Sequence, residues 1–168
     1  TPDLITTAKG LTNGVIPMGA VLATDAIYQA FMQGPEQTIE LFHGYTYSGH
    51  PVAAAAGLAT LEVYEQEGSF EQSLQLETLF AEAIHQFDDH PMVIDVRNFG
   101  LMGAIELAPR EAHPGARGLE VHKHCFWDED LVIRNSMDIL QFSPFLNSKP
   151  DDISSMFESI RRVLASID

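Results

Sequence analysis

The sequence predicts a mixed fold in which α/β and α+β parts combine. Apolar residues recur at helical spacing in long segments, and short apolar runs bounded by Gly and Pro come in pairs, as antiparallel strands do. The 168 residues are 45% apolar and 20% charged, with 12 Gly and 9 Pro scattered along the chain. This composition supports a hydrophobic core, and it excludes collagen-like, coiled-coil and disordered classes.

The first part of the chain, residues 1–66, is predicted to contain two strands followed by a short and a long helix. Gly10, Gly14 and Pro17 indicate a turn-rich connection between the strands. Asp25 is predicted to cap the short helix. Gly57 and the alanines before it give the long helix a thin face that another backbone can approach. The predicted elements are, in order, Leu4–Ala8, Gly19–Ala23, Asp25–Met32 and Pro51–Gln66.

The second part, residues 67–168, is predicted to combine three helices with two antiparallel strand pairs. Ser69 is predicted to cap a helix with an apolar stripe from Leu74 to Phe87. Pro150 opens the last helix, where the carboxylates that follow complement the helix dipole. The predicted elements between these two helices are Met92–Val96, Leu101–Ala108, Ala116–Glu129, Leu131–Arg134 and Ile139–Phe142.

Charge and cysteine content limit the functional classes. The chain has 9 basic and 24 acidic residues, a net charge of −15, so it repels phosphate backbones and anionic membrane surfaces. No apolar stretch is long enough for a transmembrane helix. The single cysteine, Cys125, excludes an internal disulfide framework, and no secretory signal is visible, so we expect a cytoplasmic protein. Thr1 is not methionine, so we expect that the chain starts inside a larger protein.

Lys9 is the strongest catalytic candidate from the residues alone. It is one of three lysines, with Lys123 and Lys149, and it follows an apolar strand and precedes a glycine turn. A catalytic lysine attacks as a neutral amine, which burial at a strand end favours. The alternative is an ordinary solvated lysine, which this spacing does not exclude.

Several motifs follow one another along the chain: Thr6–Gly14 with Pro17–Val21, His43–Ala53, Arg97–Ile105, Leu140–Pro144 and Asn147–Pro150. Together they resemble the class III aminotransferases, pyridoxal-phosphate (PLP) enzymes of fold type I. The resemblance covers essentially the whole chain, and it is closest to the omega-amino-acid:pyruvate (β-alanine:pyruvate) type. It implies the end of the large PLP domain in residues 1–66 and a small C-terminal α+β domain in residues 67–168.

The resemblance assigns roles to three residues. Lys9 matches the lysine that holds PLP as an internal aldimine and moves the proton between substrate and cofactor. Thr46 matches the threonine whose hydroxyl and backbone N–H reach the PLP phosphate of the neighbouring subunit, which implies an obligatory homodimer. Arg134 matches the mobile arginine that grips a substrate carboxylate through a planar fork. One departure is Met137, where the family often has glycine before the aspartate that matches Asp138.

The resemblance also implies that important parts of the site lie outside this chain. In the family the acid that pairs with the pyridinium nitrogen, the stacking aromatic and the phosphate loop all precede the lysine. We therefore expect a C-terminal piece of an enzyme that acts on a small amine and a keto acid, inactive by itself. The alternatives are a non-catalytic dimerisation or binding module, and a PLP aminomutase or decarboxylase on the same scaffold.

A metal site is the weakest of the interpretations. His122, His124 and Cys125 lie close together in the sequence. On a helix, however, the two histidines point to different faces, and no further ligand is evident nearby. We therefore expect no metal.

Overall fold

Two units make up the chain, Thr1–Gly68 (unit 1) and Ser69–Asp168 (unit 2). The computed structural model describes residues 1–38, 41, 43 and 45–167. Gly44 of the predicted His43–Ala53 motif and Asp168 lie outside these described residues. The assignment of residues 1–66 and 67–168 to the large and small domains of an aminotransferase stays a prediction.

Unit 1 is built on an antiparallel strand pair and two helices. The strands pair in register from Leu4 with Ala23 to Ala8 with Gly19, and a 3-10 turn over Lys9–Leu11 follows the first strand directly. The long helix begins at Pro51, as predicted, and ends at Gly68 in the left-handed conformation (φ 59°). The elements are β1 (Leu4–Ala8), β2 (Gly19–Ala23), α1 (Asp25–Phe31) and α2 (Pro51–Glu67).

The start of α1 differs from the prediction. Thr24 occupies the N-cap position without a side-chain capping bond, and Asp25 is the first helical residue. The Asp25 carboxylate accepts a hydrogen bond from Gln29 Nε2 at 3.2 Å, one turn into the helix. Asp25 therefore complements the helix dipole from the first turn and does not cap the helix.

The predicted thin face of α2 is confirmed at Gly57. A Cβ at this position would lie 3.5 Å from the carbonyl oxygen of Leu11 and 3.5 Å from Sδ of Met18. The turn after β1 is itself closed by Thr12, which is 1% exposed and donates its hydroxyl hydrogen to the Ile16 carbonyl at 2.6 Å. The connection between β1 and β2 thus packs closely on the helix.

Unit 2 is a four-stranded antiparallel sheet with three helices. The strand order is β3-β4-β6-β5. The core of the unit contains apolar residues of all three helices and of the sheet. The elements are α3 (Ser69–His85), β3 (Val93–Phe99), β4 (Met102–Leu107), α4 (Ala116–Asp128), β5 (Arg134–Ser136), β6 (Ile139–Phe142) and α5 (Pro150–Ser166).

Phenylalanine rings at the centre of this core bring the helices and the sheet together. The Phe157 ring of α5 lies 5.4 Å from that of Phe80 on α3 and 5.3 Å from that of Phe142 on β6, measured between centroids. Gly103 allows α3 to approach the sheet, because a Cβ there would lie 2.6 Å from Cδ1 of Ile84. The core of unit 2 therefore depends on contacts between residues far apart in the sequence.

Four details of unit 2 differ from the prediction. Ser69 is the first residue of α3 and not its cap, and Leu74 is 68% exposed although it belonged to the predicted apolar stripe. The predicted connection Arg97–Gly100 lies mostly in β3, which continues to Phe99. Leu131 is not in a strand, because its N–H donates to the Cys125 carbonyl at the end of α4 instead of to the sheet.

None of the helices in the described part of the chain has the length and apolar content that crossing a bilayer requires.

The pKa of His85, the last residue of α3, supports a prediction on how stability depends on pH. His85 Nδ1 lies 3.0 Å from the Asp88 carboxylate, and Nε2 lies 3.1 Å from Asn98 Oδ1. The hydrogen bond with Asp88 is the main cause that raises the pKa of His85 above its ordinary value. The interaction of protonated His85 with Asp88 therefore stabilises the folded state. This stabilisation is complete below the unfolded-state pKa of about 6.5 and is lost as the pH rises through the folded-state pKa of His85.

In an NMR titration, Asp88→Asn should lower the pKa of His85 toward about 6.5. Asp89→Asn, which changes the neighbouring carboxylate, should leave it close to the wild-type value. A His85 pKa that does not respond to Asp88→Asn would show that this pair does not set it.

Candidate active site

Lys9 occupies a strained backbone position at the end of β1. Its φ is +52°, in the left-handed region that non-glycine residues seldom adopt. Its carbonyl accepts the N–H groups of Thr12 at 3.2 Å and Gly14 at 3.3 Å. A left-handed residue costs roughly 1–2 kcal/mol, so the surrounding turn must hold this conformation.

The turn at Lys9 is also held from α2. The Tyr64 hydroxyl donates a 2.8 Å hydrogen bond to the carbonyl of Gly10. A Cβ on Gly10 would lie 3.4 Å from that hydroxyl oxygen. The sequence carries no signal for this role of Tyr64, because no local pattern links residues so far apart in the chain.

The Lys9 side chain is exposed, so the burial expected from the sequence is not provided by the described part of this chain. Lys9 is the only lysine or arginine among residues 1–68, and it forms no ion pair with a described residue. Nearby, the Thr7 hydroxyl oxygen is shielded from solvent and has no hydrogen-bond partner among the described residues. With respect to the described residues, the strand end therefore carries an unpaired amine and an unsatisfied hydroxyl.

Thr46 lies in an exposed turn directly before α2. The turn begins at Tyr45, whose φ is +45° and whose carbonyl accepts the N–H of Ser48 at 3.0 Å. Residues on both sides of Thr46 line a cleft of about 590 Å³ in unit 1, together with residues 16–19 and the start of α2. Neither Thr46 nor Lys9 belongs to the described lining of this cleft, so the structure does not bring them together there.

Arg134 begins β5 on the sheet face opposite the helices. It pairs in register with Gln141, which pairs with Ala104, which pairs with Arg97. Arg97 in this row is neutralised by Asp95 and by Glu106, the latter at 3.1 Å. Arg134 is exposed and makes no ion pair with any residue that the structure describes, so its guanidinium is available to an external anion.

A groove of about 870 Å³ in unit 2 includes Arg134 in its wall. Most of the wall is apolar and includes Val132, Phe142, Phe145 and Ile153. Arg134 is the only basic side chain among the described residues that line it. A guanidinium beside apolar surface suits a small ligand that carries one carboxylate.

The turn after β5 explains the departure at Met137. Its φ is +55°, which is the conformation that glycine adopts without steric cost, so the family's glycine fits the same geometry. The next residue, Asp138, is 6% exposed. Its carboxylate accepts the N–H of Gly115 at 2.6 Å and that of Gly118 at 2.9 Å. The sequence gives no signal for this role of Asp138, because its partners lie on another element.

The histidines and the cysteine of α4 have other partners. His122 Nδ1 donates to the Ile133 carbonyl at 2.9 Å, and His124 Nδ1 lies 2.6 Å from the Asp128 carboxylate. Cys125 is fully buried, and burial is the main cause that raises the pKa of its thiol to about 11. Among the described residues, no group of three or more metal-ligating side chains is found.

Comparison with protein families gives the class of this protein. The model described as aminotransferase class-III matches residues 1–164. The chain therefore belongs to the class-III aminotransferases, and the resemblance seen in its motifs is confirmed.

Two individual relatives are similar to almost the whole of this chain. An omega-aminotransferase of Caulobacter vibrioides is 52% identical over 168 residues, which is 100% of this chain and 38% of that protein. A beta-alanine–pyruvate aminotransferase of Pseudomonas aeruginosa is 42% identical, over 99% of this chain and 38% of that protein. The chain thus spans about 38% of the length of these relatives.

Solved structures confirm the predicted fold. An adenosylmethionine-8-amino-7-oxononanoate aminotransferase from Methanocaldococcus jannaschii superposes with a TM-score of 0.89 at 28% identity, over 100% of this chain and 40% of that one. A PLP-bound amine transaminase from an uncultivated Pseudomonas species gives 0.88 at 28% identity, over 99% and 39%. The chain therefore corresponds to part of an aminotransferase fold.

Proposed function

We propose that the intact protein carrying this chain is a cytoplasmic homodimer that catalyses PLP-dependent transamination. The amino donor is an omega-amino acid or amine such as β-alanine, and the acceptor is pyruvate or a similar keto acid. The position of Lys9 carries the proposal. An unpaired amine stands at a strand end, on a strained turn held by α2, in a chain 52% identical to an omega-aminotransferase.

The residues at the end of β1 fit such a cofactor. Lys9 supplies an amine without a competing ion pair, and the shielded Thr7 hydroxyl lacks a partner among the described residues. When bound, PLP supplies the electron sink that stabilises negative charge on the amine-bearing carbon of the substrate. The chain contributes the group that holds the cofactor, Nζ of Lys9, and the backbone that aims it.

Lys9 also suits proton transfer. A neutral Nζ would accept the proton from the amine-bearing carbon of the substrate and then donate it to the cofactor, so Lys9 would act first as a base and then as an acid. The hydrogen bonds at Lys9 and Gly10 limit where Nζ can point, because the backbone of the turn cannot relax into an ordinary strand.

Thr46 is proposed to act across the dimer. Its hydroxyl and backbone N–H would hold the cofactor phosphate of the neighbouring subunit. Two observations support this role. The Thr46 turn is exposed, and Thr46 and Lys9 do not line a common cleft among the described residues of this chain.

Arg134 is proposed to bind the substrate carboxylate. Its guanidinium has no ion-pair partner among the described residues, and it lies at an apolar groove. A planar guanidinium holds both carboxylate oxygens at once. When an amine without a carboxylate enters, the exposed side chain is free to swing away, so one pocket serves both half-reactions.

Arg134→Ala is expected to reduce kcat/KM for β-alanine and for pyruvate by about 100-fold, because one charge-assisted contact contributes roughly 2–3 kcal/mol. Turnover of benzylamine, which has no carboxylate, should change by less than about threefold in a half-reaction that does not use pyruvate. Arg161→Ala, on the exposed side of α5, is the matched control. Equal losses for β-alanine and benzylamine would remove the proposed role.

The reaction itself is tested with the intact protein, PLP, β-alanine and pyruvate. Transamination predicts that alanine forms in step with 3-oxopropanoate and only when pyruvate is present. A decarboxylase would release carbon dioxide without pyruvate, and an aminomutase would yield an isomer of the substrate. Failure to form alanine with any omega-amino acid or amine would refute the proposal.

A further inference from the structure

We propose that Asp138 is a positioning residue that aims Arg134 by fastening the β5–β6 hairpin to the N-terminus of α4. The inference rests on the proposed role of Arg134 in binding a substrate carboxylate. Asp138 itself is buried and is not among the described residues that line the groove of Arg134, so it acts only through the residue that the hairpin carries.

The carboxylate of Asp138 makes the first attachment between the β5–β6 hairpin and α4. Oδ2 accepts the N–H of Gly115 at 2.6 Å, and Oδ1 accepts the N–H of Gly118 at 2.9 Å. These are free backbone donors at the start of a helix, where a carboxylate also interacts favourably with the helix dipole. Since Gly115 is the N-cap residue without a side chain of its own, the cap of α4 is supplied by the hairpin.

A second fastening lies on the other side of Arg134. Nδ1 of His122, two turns along α4 from its start, donates to the carbonyl of Ile133 at 2.9 Å. Ile133 immediately precedes Arg134 and is 5% exposed. The backbone that carries Arg134 is therefore attached to α4 both before and after that residue.

The contact between turn and helix leaves no room for adjustment. A Cβ on Gly118 would collide with the carbonyl oxygen of Met137 and would lie 2.8 Å from Cα of Asp138. Met137 is held at a φ of +55°, a conformation that persists only where neighbouring contacts enforce it. The Asp138 carboxylate supplies two of these contacts, beside the hydrogen bonds that the carbonyls of Met137 and Asp138 accept from Asn135 and Leu107.

Loss of this fastening should therefore move Arg134 more than it alters any other group at the groove. A guanidinium on a long side chain recognises a carboxylate only if its backbone is held within about 0.5 Å of the productive position. A misplacement of about 1 Å costs up to about 100-fold in rate. The expected defect is selective for substrates that carry a carboxylate.

The test uses the intact holoenzyme with β-alanine and with benzylamine. Asp138→Asn retains the size of the side chain but leaves one backbone N–H facing an amide NH₂. It should raise KM for β-alanine about tenfold, with kcat and the benzylamine half-reaction changed less than about twofold. Asp128→Asn, an exposed carboxylate at the other end of α4, should leave both substrates unaffected.

A double-mutant cycle separates positioning from general stability. In an Arg134→Ala background, Asp138→Asn should add less than about twofold to the β-alanine defect, because its effect acts through the missing guanidinium. Additive losses, or equal losses on both substrates, would overturn the inference. If Arg134→Ala itself does not discriminate the substrates, the proposed function of Arg134 fails, and the inference fails with it.

If Asp138→Asn does not fold, His122→Phe provides a second test of the proposal. It preserves a ring on α4 and removes only the hydrogen bond to the Ile133 carbonyl. The same selective rise in KM for β-alanine is expected, by about threefold because one tether remains. A folded His122→Phe enzyme with unchanged KM for β-alanine would overturn the proposal that attachment to α4 aims Arg134.

Discussion

Replacing Lys9 with alanine in the intact protein is expected to reduce kcat for transamination about 1000-fold or more. The reason is that one side chain would both hold the cofactor and transfer the proton. General acid–base catalysis alone contributes about 100- to 10,000-fold. No other lysine or arginine lies in residues 1–68 to replace Lys9. The rate of alanine formation from β-alanine and pyruvate measures the loss.

A chemical trap gives a second readout that does not depend on turnover. Borohydride reduction of the PLP-loaded enzyme followed by peptide mass spectrometry should find the pyridoxyl adduct on Lys9. In Lys9→Ala the adduct should be missing and PLP should be removable by dialysis. Lys123→Ala, which removes an exposed lysine of α4, should behave like wild type. Steady-state transamination retained by Lys9→Ala would refute the assignment.

Phe157→Ala is expected to destabilise unit 2 by about 3–5 kcal/mol, the usual cost of removing a buried phenylalanine ring. Phe157 is 2% exposed, and its ring packs against those of Phe80, Phe87 and Phe142. Removal leaves a cavity where α3, α5 and the sheet meet. Denaturant unfolding of the 168-residue chain, followed by circular dichroism, measures the loss.

The matched control for Phe157→Ala is Phe99→Ala. Phe99 is also an aromatic residue of unit 2, but it is 84% exposed on β3, so its removal should cost less than about 1 kcal/mol. If the two substitutions reduce the free energy of unfolding equally, the core does not depend on the Phe157 cluster as described.

Much of the fold could be predicted because local chemistry decided it. Pro51 and Pro150 both begin helices in the structure, since proline suits a position whose N–H has no helical partner. Gly57 allows close approach because it lacks a side chain in any fold. Some predictions were wrong at element ends, at Asp25, Ser69 and residues 131–133, where the local pattern does not determine the exact boundary. The expected burial of Leu74 and Lys9 was wrong because it depends on tertiary packing and not on local spacing.

The candidate site was predictable to a lesser degree. The motifs identified Lys9, Thr46 and Arg134, because each of these residues matches a functional position in a motif of the family. Their structural supports were not identified. Tyr64 binds Gly10 from another helix, and Asp138 binds the start of α4. Neither set of hydrogen bonds corresponds to a spacing pattern that can be recognised in a single sequence.

The sequence by itself determined the family, the order of the elements and the residues that carry the proposed chemistry. These depend on residue types and on near neighbours, both of which can be read directly from the sequence. Only the tertiary structure decided that Lys9 stands exposed in a left-handed turn and that the chain is attached to α4 both before and after Arg134. Both depend on hydrogen bonds between distant segments, which form only when packing brings their donors and acceptors within about 3 Å.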